Sequence, residues 1–392
     1  MKHRLLILPL FMALTPAALA SNTWYVNGVS GSDSNNCQTP QTACKTIGHA
    51  ISLASSGDSI MIAAAIYKET LTIEFSLKLI GAGASRTIID GVDGGGNIVV
   101  FIRNSSSRVV LSKVTTRNGG AGIVNSGTLR VDDSTISGNS SGGGIDNYGT
   151  MTLDHGTLNG NSAYGQDGYY SAGGGVYNSG MLTVNNSTIS GNSADGNYVC
   201  GGGIYNSGTL TITNSTLSGN QASGISNSSG GGIDNEGTVV LNNSTLSGNS
   251  ATIYGGDGYG GGISYSGCVE AGSYANTTTL RNSIVANSNG GNCYGTMTSK
   301  GYNLSSDDTC HFMSTGDLNN TKPLLGRLQN NGGPTRTRAL LTGSPAIDAG
   351  NPKGCTDGQG HLLKTDQRGK PRSDKEDHGI GCDMGAFERQ RD

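Results

Sequence analysis

One motif, approximately Gly-Gly-Gly-Ile-x-Asn-x-Gly-x-Leu-x-Val-x-x-Ser-Thr-Ile-Ser-Gly-Asn-Ser, occurs five times in the middle of this chain and limits what it can fold into. Counted from Ile123, Ile145, Val176, Ile204 and Ile233, every copy has Asn at +2 (Asn125, Asn147, Asn178, Asn206, Asn235) and Gly at +4 (Gly127, Gly149, Gly180, Gly208, Gly237). Apolar residues follow at +6, +8 and +13, as in Leu210, Ile212 and Leu217, and Asn returns at +16 (Asn139, Asn161, Asn192, Asn220, Asn249). The unit is 22 residues, and successive copies stand 22, 31, 28, 29 and 30 residues apart, the last step leading to Ile263. The extra residues all enter at one phase, between Gly-Asn-Ser and the next Gly run. A fixed period with insertions at one phase describes stacked units whose loops leave along one edge.

The spacing also selects the kind of stack. Apolar positions alternate over very short spans, such as Leu210-x-Ile212, and are punctuated by Gly, Asn and Ser, which predicts two or three short strands per unit and no helix. The expected fold is all-β: a single-stranded right-handed parallel β-helix of about ten coils, with one Ile, Leu or Val per coil in each interior column. The Asn at +2 and +16 then stack on themselves at corners, where Asn tolerates left-handed backbone and its amide bonds the coils above and below. The 65 glycines and the 5% aromatic content suit a narrow aliphatic solenoid. Residues 121–290 hold ten acids against two arginines (Arg130, Arg281) and no lysine, while the remainder is net basic by five. Such a middle repels nucleic acid and anionic membranes.

The flanks differ from the repeat. Met1 to Ala20 has a basic start (Lys2, Arg4), an apolar stretch from Leu5 to Leu14 and Ala18-Leu19-Ala20 before Ser21, the form of a cleavable secretory signal. No later run is long and apolar enough to span a membrane. Eight cysteines in an exported chain favour disulfides over metal; proximity suggests Cys37 with Cys44, Cys293 with Cys310, Cys355 with Cys382 and Cys200 with Cys268, one of 105 pairings. Ile47, Ala50, Ile51 and Ala54 recur at helical spacing before Gly57, predicting a short amphipathic helix that covers the first coil, ahead of strands at Ser59–Ile62 and Thr70–Ile73. The expected organisation is a signal at 1–20, a β-helix with N-terminal cap at 21–310 and a C-terminal capping module at 311–392.

Several segments carry a resemblance. Trp24-Tyr25-Val26-Asn27, Lys45-Thr46-Ile47 and Gly57-Asp58-Ser59-Ile60 followed by Tyr67-Lys68-Glu69 resemble the start of bacterial parallel β-helix proteins of the pectin-lyase-like superfamily. The Gly-Gly-Gly-Ile repeats are similar to the Gly-Gly-Ala-Ile repeats of polymorphic outer-membrane proteins. In the tail, Gly332-Gly333-Pro334-Thr335-x-Thr337, Gly343-Ser344-Pro345-Ala346-Ile347-Asp348-Ala349-Gly350, Thr365-Asp366-Gln367-Arg368-Gly369 and Cys382-Asp383-Met384-Gly385-Ala386-Phe387-Glu388 resemble the choice-of-anchor Q module that closes many exported β-helices. The resemblance implies an anchoring or sorting element after that module; here Arg389 to Asp392 follow, and a released protein is the expectation.

The charged tail residues Asp348, Asp366, Arg368, Asp383 and Glu388 are read as ties of a small irregular cap, since an Arg fork matches carboxylates there. Asp132-Asp133 reads as a solvated pair, and His155 stands where other copies have Asn. Gly255-Gly256-Asp257-Gly258 resembles a calcium nonapeptide but occurs once, so no metal or cofactor is assigned, calcium being the one candidate left open. What the fold itself does not require is the +1 stripe, expected to face outward: Asp146, Tyr177, Tyr205, Asp234. Inserted loops on the same edge add Tyr164, Asp167, Tyr169 and Tyr170, then Asp195 and Tyr198, then Tyr254, Asp257 and Tyr259. Rings beside carboxylates suit a sugar face and its hydroxyls, or a protein partner. The sequence therefore favours an exported, monomeric, non-catalytic rod that binds a polysaccharide or surface protein, with a polysaccharide lyase or glycoside hydrolase as the alternative. Asp146 and Asp234, three coils and roughly 14 Å apart at the strand spacing, are too distant for a glycosidase pair.

Overall fold

Each repeat closes one turn of a parallel β-helix. A computed structural model describes residues 21–92, 96–165, 170–265, 276–372 and 381–390; the predicted signal at 1–20 lies outside them. In one turn, Ile204–Asn206 enters a nine-stranded sheet, Thr209–Thr213 an eleven-stranded sheet and Thr216–Ser218 a ten-stranded sheet, counted among the described residues. Because successive strand residues face opposite sides, Leu210 and Ile212 are buried while Thr209 is exposed. The predicted register holds: Ile123, Ile145, Val176, Ile204, Ile233 and Ile263 pair in succession. All six are fully buried in one long core.

Both Asn columns form ladders. Asn206 Nδ2 donates to Asn235 Oδ1 at 2.8 Å, and the +2 bonds below it measure 2.6 to 2.8 Å. The +16 column repeats the arrangement from Asn139 to Asn249. The expectation that these residues carry the left-handed corner is corrected. Positive φ falls instead on the +10 column, Asp133, His155, Asn186, Asn214 and Asn243, and on the glycine before each +16 Asn. The +10 bend takes two residues, such as Asn214 and Ser215 between Thr209–Thr213 and Thr216–Ser218, and few side chains other than Asn, Asp and His accept the left-handed conformation of the first. The Gly runs serve close approach: a Cβ on Gly203 would stand 2.5 Å from the Gly232 carbonyl oxygen of the next coil.

Ile47–Leu53 forms the predicted helix, capped by the Thr46 side chain, and buries Ile47, Ala50 and Ile51 against the first coil. The inserted segments are more ordered than loops. Ser162–Tyr164, Ser193–Cys200, Gln221–Ser229 and Ser250–Ile253 pair in register as part of a fourth, seven-stranded sheet. Its small core is Ala163, Ala194, Val199 and Ala222.

The irregular C-terminal segment also covers the flank of the ten-stranded sheet. Gln367 bonds Ser187, Thr188 and Thr216, Arg338 donates to Ser218, and Asn282 donates to the Asp383 carbonyl. Its ions are buried in pairs, Arg368 with Asp366 at 2.7 Å and Arg372 with Glu388 at 3.1 Å. Asp348 contributes its backbone N–H to Asp383. Disulfides Cys37–Cys44, Cys293–Cys310 and Cys355–Cys382 form as expected. Cys268, the proposed mate of Cys200, lies outside the described residues. No helix among the described residues is long and apolar enough to cross a membrane.

Candidate functional site

The +1 stripe runs up the outer face of the nine-stranded sheet, with Asp146 paired to Tyr177, Tyr177 to Tyr205 and Tyr205 to Asp234 on successive coils. Tyr177 and Tyr205 stack at a centroid distance of 5.2 Å. The expected exposure, however, holds for only half of the stripe. Asp146 and Tyr177 are partly exposed, whereas Tyr205 is 5% exposed and Asp234 is fully buried. The reason is the fourth sheet: strands Ser193–Cys200 and Gln221–Ser229 fold back before the Gly run, so that Tyr205 packs with Cys200, Ala172, Tyr177 and Tyr198.

Two residues outside the sequence-derived set join the stripe. Tyr148 is 54% exposed and its ring lies 5.9 Å from that of Tyr177. Glu236 accepts a 2.6 Å hydrogen bond from the Tyr205 hydroxyl. Both occupy position +3, which shares the outward face with +1, so the period-2 alternation that located +1 also contained them. The loop tyrosines scatter by comparison. Tyr164, Tyr170, Tyr254 and Tyr259 are exposed and Tyr198 is half-buried, while Tyr169 and Asp167 lie outside the described residues. Tyr170 approaches the buried cluster, and Tyr259 instead meets Tyr294 at 4.8 Å.

Electrostatics divide the stripe in the same place. Burial pushes the Asp146 carboxyl up to about 7, so near neutrality it holds a proton for part of the time while remaining partly open to solvent. Asp234 is raised well above the carboxylate range, first by burial and then by Glu236, against the hydrogen bond it accepts from Ser229. Burial raises the Tyr205 and Tyr177 hydroxyls as well, with Glu236 adding to both. These phenols are therefore donors and stacking surfaces, poorly suited to act as bases. Elsewhere, ligand atoms of Asp132, Asp133 and His155 come within 4.8 Å of one another. Arg130 bridges Asp132 and Asp154 beside them, and His155 Nδ1 lies 3.2 Å from Asp154, so these side chains are engaged with one another and the group carries no assignment.

No protein-family model and no curated protein matches the chain. Among solved structures it is similar to pectate lyase Pel9A, with a TM-score of 0.53 and 15% identity over 95% of this chain and 98% of that one. The chain has the pectate-lyase-like parallel β-helix fold. Weaker likenesses are to GH136 lacto-N-biosidase from Eubacterium ramulus (TM-score 0.41, 11% identity, 72% of this chain and 64% of that one) and to pectin methylesterase from carrot (TM-score 0.39, 10% identity, 72% and 85%). A shared fold does not transfer chemistry by itself.

Proposed function

We propose that this protein is exported and acts on a polysaccharide, as a lyase or hydrolase, at the open end of the stripe formed by Asp146, Tyr148 and Tyr177. The observation that carries the reading is Asp146, a partly exposed carboxyl pushed up to about 7 and flanked by two aromatic rings on a β-helix face. Tyr148 and Tyr177 supply surfaces for the C–H face of a sugar ring. As a general acid tuned by burial, Asp146 would give its proton near neutral pH to the glycosidic oxygen as that C–O bond breaks, while water adds to the carbon left behind and returns a proton to the Asp146 carboxylate. This reverses the order in which the sequence ranked the two readings, because a poised acid adds nothing to a purely adhesive rod. The disulfides support export into an oxidising compartment. The 1–20 signal and a choice-of-anchor-Q-like module at 311–392 belong to the same reading, with a monomer as the working unit.

Non-catalytic glycan binding is the second reading, and one observation favours it. Glu236 is engaged by Tyr205, and Asp234 is buried three coils from Asp146, so the stripe offers no carboxylate pair at a glycosidase separation. Incubating the protein with a panel of neutral and acidic polysaccharides, with and without calcium, separates the two. New reducing ends or unsaturated products support the enzyme; binding without product on every polymer supports the rod.

A further inference from the structure

The outer face of the ten-stranded sheet has two halves. The C-terminal segment covers the later coils from Thr188 onward, through Thr188, Thr216 and Thr245. The earlier strands Ala65–Lys68, Thr87–Asp90 and Thr115–Arg117 border a cleft of about 500 Å³ instead, lined by Ile66, Lys68, Asp90, Val92, Arg117 and Asn118, among others. Lys68 pairs with Asp90 and Asp90 with Arg117 in strand register, so two cations flank one carboxylate in a single column.

The three charges are not equivalent. Asp90 is buried, and its Oδ2 accepts from Arg117 Nε at 2.8 Å and from Asn118 Nδ2 at 3.0 Å. That bond holds the guanidinium by its inner nitrogen, and its two terminal nitrogens make no hydrogen bond with protein among the described residues. Lys68 forms no ion pair among the described residues either, although a carboxylate stands on the adjacent strand. The cleft therefore presents a positioned Arg fork and a second cation, the Lys68 ammonium, whose strand position lies about two strand spacings, or roughly 10 Å, away along the column. Ile66 and Val92, both exposed, give it apolar walls.

We propose that this cleft binds an acidic oligosaccharide, one carboxylate or sulfate on the Arg117 fork, a second anionic group facing Lys68, and a sugar C–H face against Ile66. A guanidinium edge fixed from behind is suited to oxyanions, since two parallel N–H groups meet two oxygens and the fork is already ordered. The exposed apolar walls argue for a sugar-borne anion over a bare ion, which would leave them wet. The site lies on a different face from Asp146 and Tyr177, and it stands whether or not the stripe turns over a substrate.

Titration calorimetry on the full chain tests it with three probes: galacturonate oligosaccharides, a sulfated galactan oligosaccharide and a neutral cello-oligosaccharide. At least one acidic probe is expected to bind, more weakly as salt rises, with affinity at least tenfold lower in Lys68→Gln and lower still in Arg117→Gln. Which acidic probe binds distinguishes carboxylate from sulfate. Lys68→Gln is the decisive variant, because Lys68 is exposed and its loss leaves the Asp90–Arg117 pair intact; an unchanged thermal midpoint checks this. The proposal is overturned if neither acidic probe binds or if acidic binding survives Lys68→Gln at full strength, whatever the neutral probe does at the stripe.

Discussion

The Tyr205 hydroxyl donates to the Glu236 carboxylate at 2.6 Å across two neighbouring coils, and Ala172, Tyr198 and Cys200 of the fourth sheet pack over the Tyr205 side of the pair. This bond marks where the stripe changes from surface to interior. Below it Asp146, Tyr148 and Tyr177 meet solvent; above it Tyr205 and Asp234 do not.

Replacing the two kinds of tyrosine therefore gives opposite results. Tyr205→Ala removes a buried ring and strands a carboxylate, with an expected loss of about 3–5 kcal/mol. Tyr148→Ala is expected to change stability by less than about 0.5 kcal/mol, as for most exposed side chains, and to weaken glycan binding. Urea unfolding of both variants, alongside binding of the polymer that wild type recognises, checks the pair. A Tyr205→Ala protein as stable as wild type contradicts the covering by the fourth sheet.

The interior columns make a separate prediction. Ile204→Ala is expected to cost about 2–5 kcal/mol through a cavity between Val176 and Ile233. Asn206→Ala removes two ladder bonds, the one Asn178 donates to it and the one it donates to Asn235, and leaves those buried amide groups short of a partner, at about 1–3 kcal/mol. Denaturant midpoints read both, and a neutral Asn206→Ala would remove the ladder from the account of stability.

A pH dependence follows from Asp146. Its carboxyl is raised from 3.8 to about 7, so between those values the folded chain retains a proton that the unfolded chain has released. The contribution of this group to stability is fully present below about pH 4 and is lost as pH rises through about 7. Thermal midpoints between pH 5 and 8 should fall more steeply in wild type than in Asp146→Asn. Parallel curves would show that burial does not hold the proton.

The C-terminal segment supplies a fourth prediction. Its Cys355–Cys382 bridge closes 27 residues, a loop whose chain entropy corresponds to about 3–4 kcal/mol. Replacing both cysteines with Ala should loosen this segment from Asn282, Thr245 and Thr216 while the coils remain folded. Faster amide exchange around Gln367, with unchanged exchange at Ile204, is the expected pattern; uniform exchange throughout would show that segment and coils unfold as one.

The columns were legible in the sequence because every coil repeats the same side chain at the same depth, as at Ile204 and Asn206. The +10 corner was legible too, in the run Asp133, His155, Asn186, Asn214 and Asn243, but two other Asn columns competed for the same explanation. The covering sheet was harder to see. Its strands sit in insertions of unequal length, and the signal they carry is one small residue, Ala163, Ala194, Ala222 and Ala251, eighteen positions after each column Ile or Val. Alanine has no strong strand preference, so its burial depends on partners that the insertions bring together. The exposure of Tyr205 and Asp234 was misjudged for that reason. Tyr148 and Glu236 were missed because +3 holds serine in the other copies. Gln367 owes its role to contacts with Thr188 and Thr216, 179 and 151 residues away, which no local pattern records.

The most direct test of the central claim is the rate of product formation by wild type and by Asp146→Asn on whichever polysaccharide wild type degrades, measured from pH 5 to 9. The account predicts wild-type activity that declines above about pH 7 and a loss of at least a hundredfold in Asp146→Asn, with folding intact. Full activity in Asp146→Asn, or no product from any polymer in the panel, would contradict it.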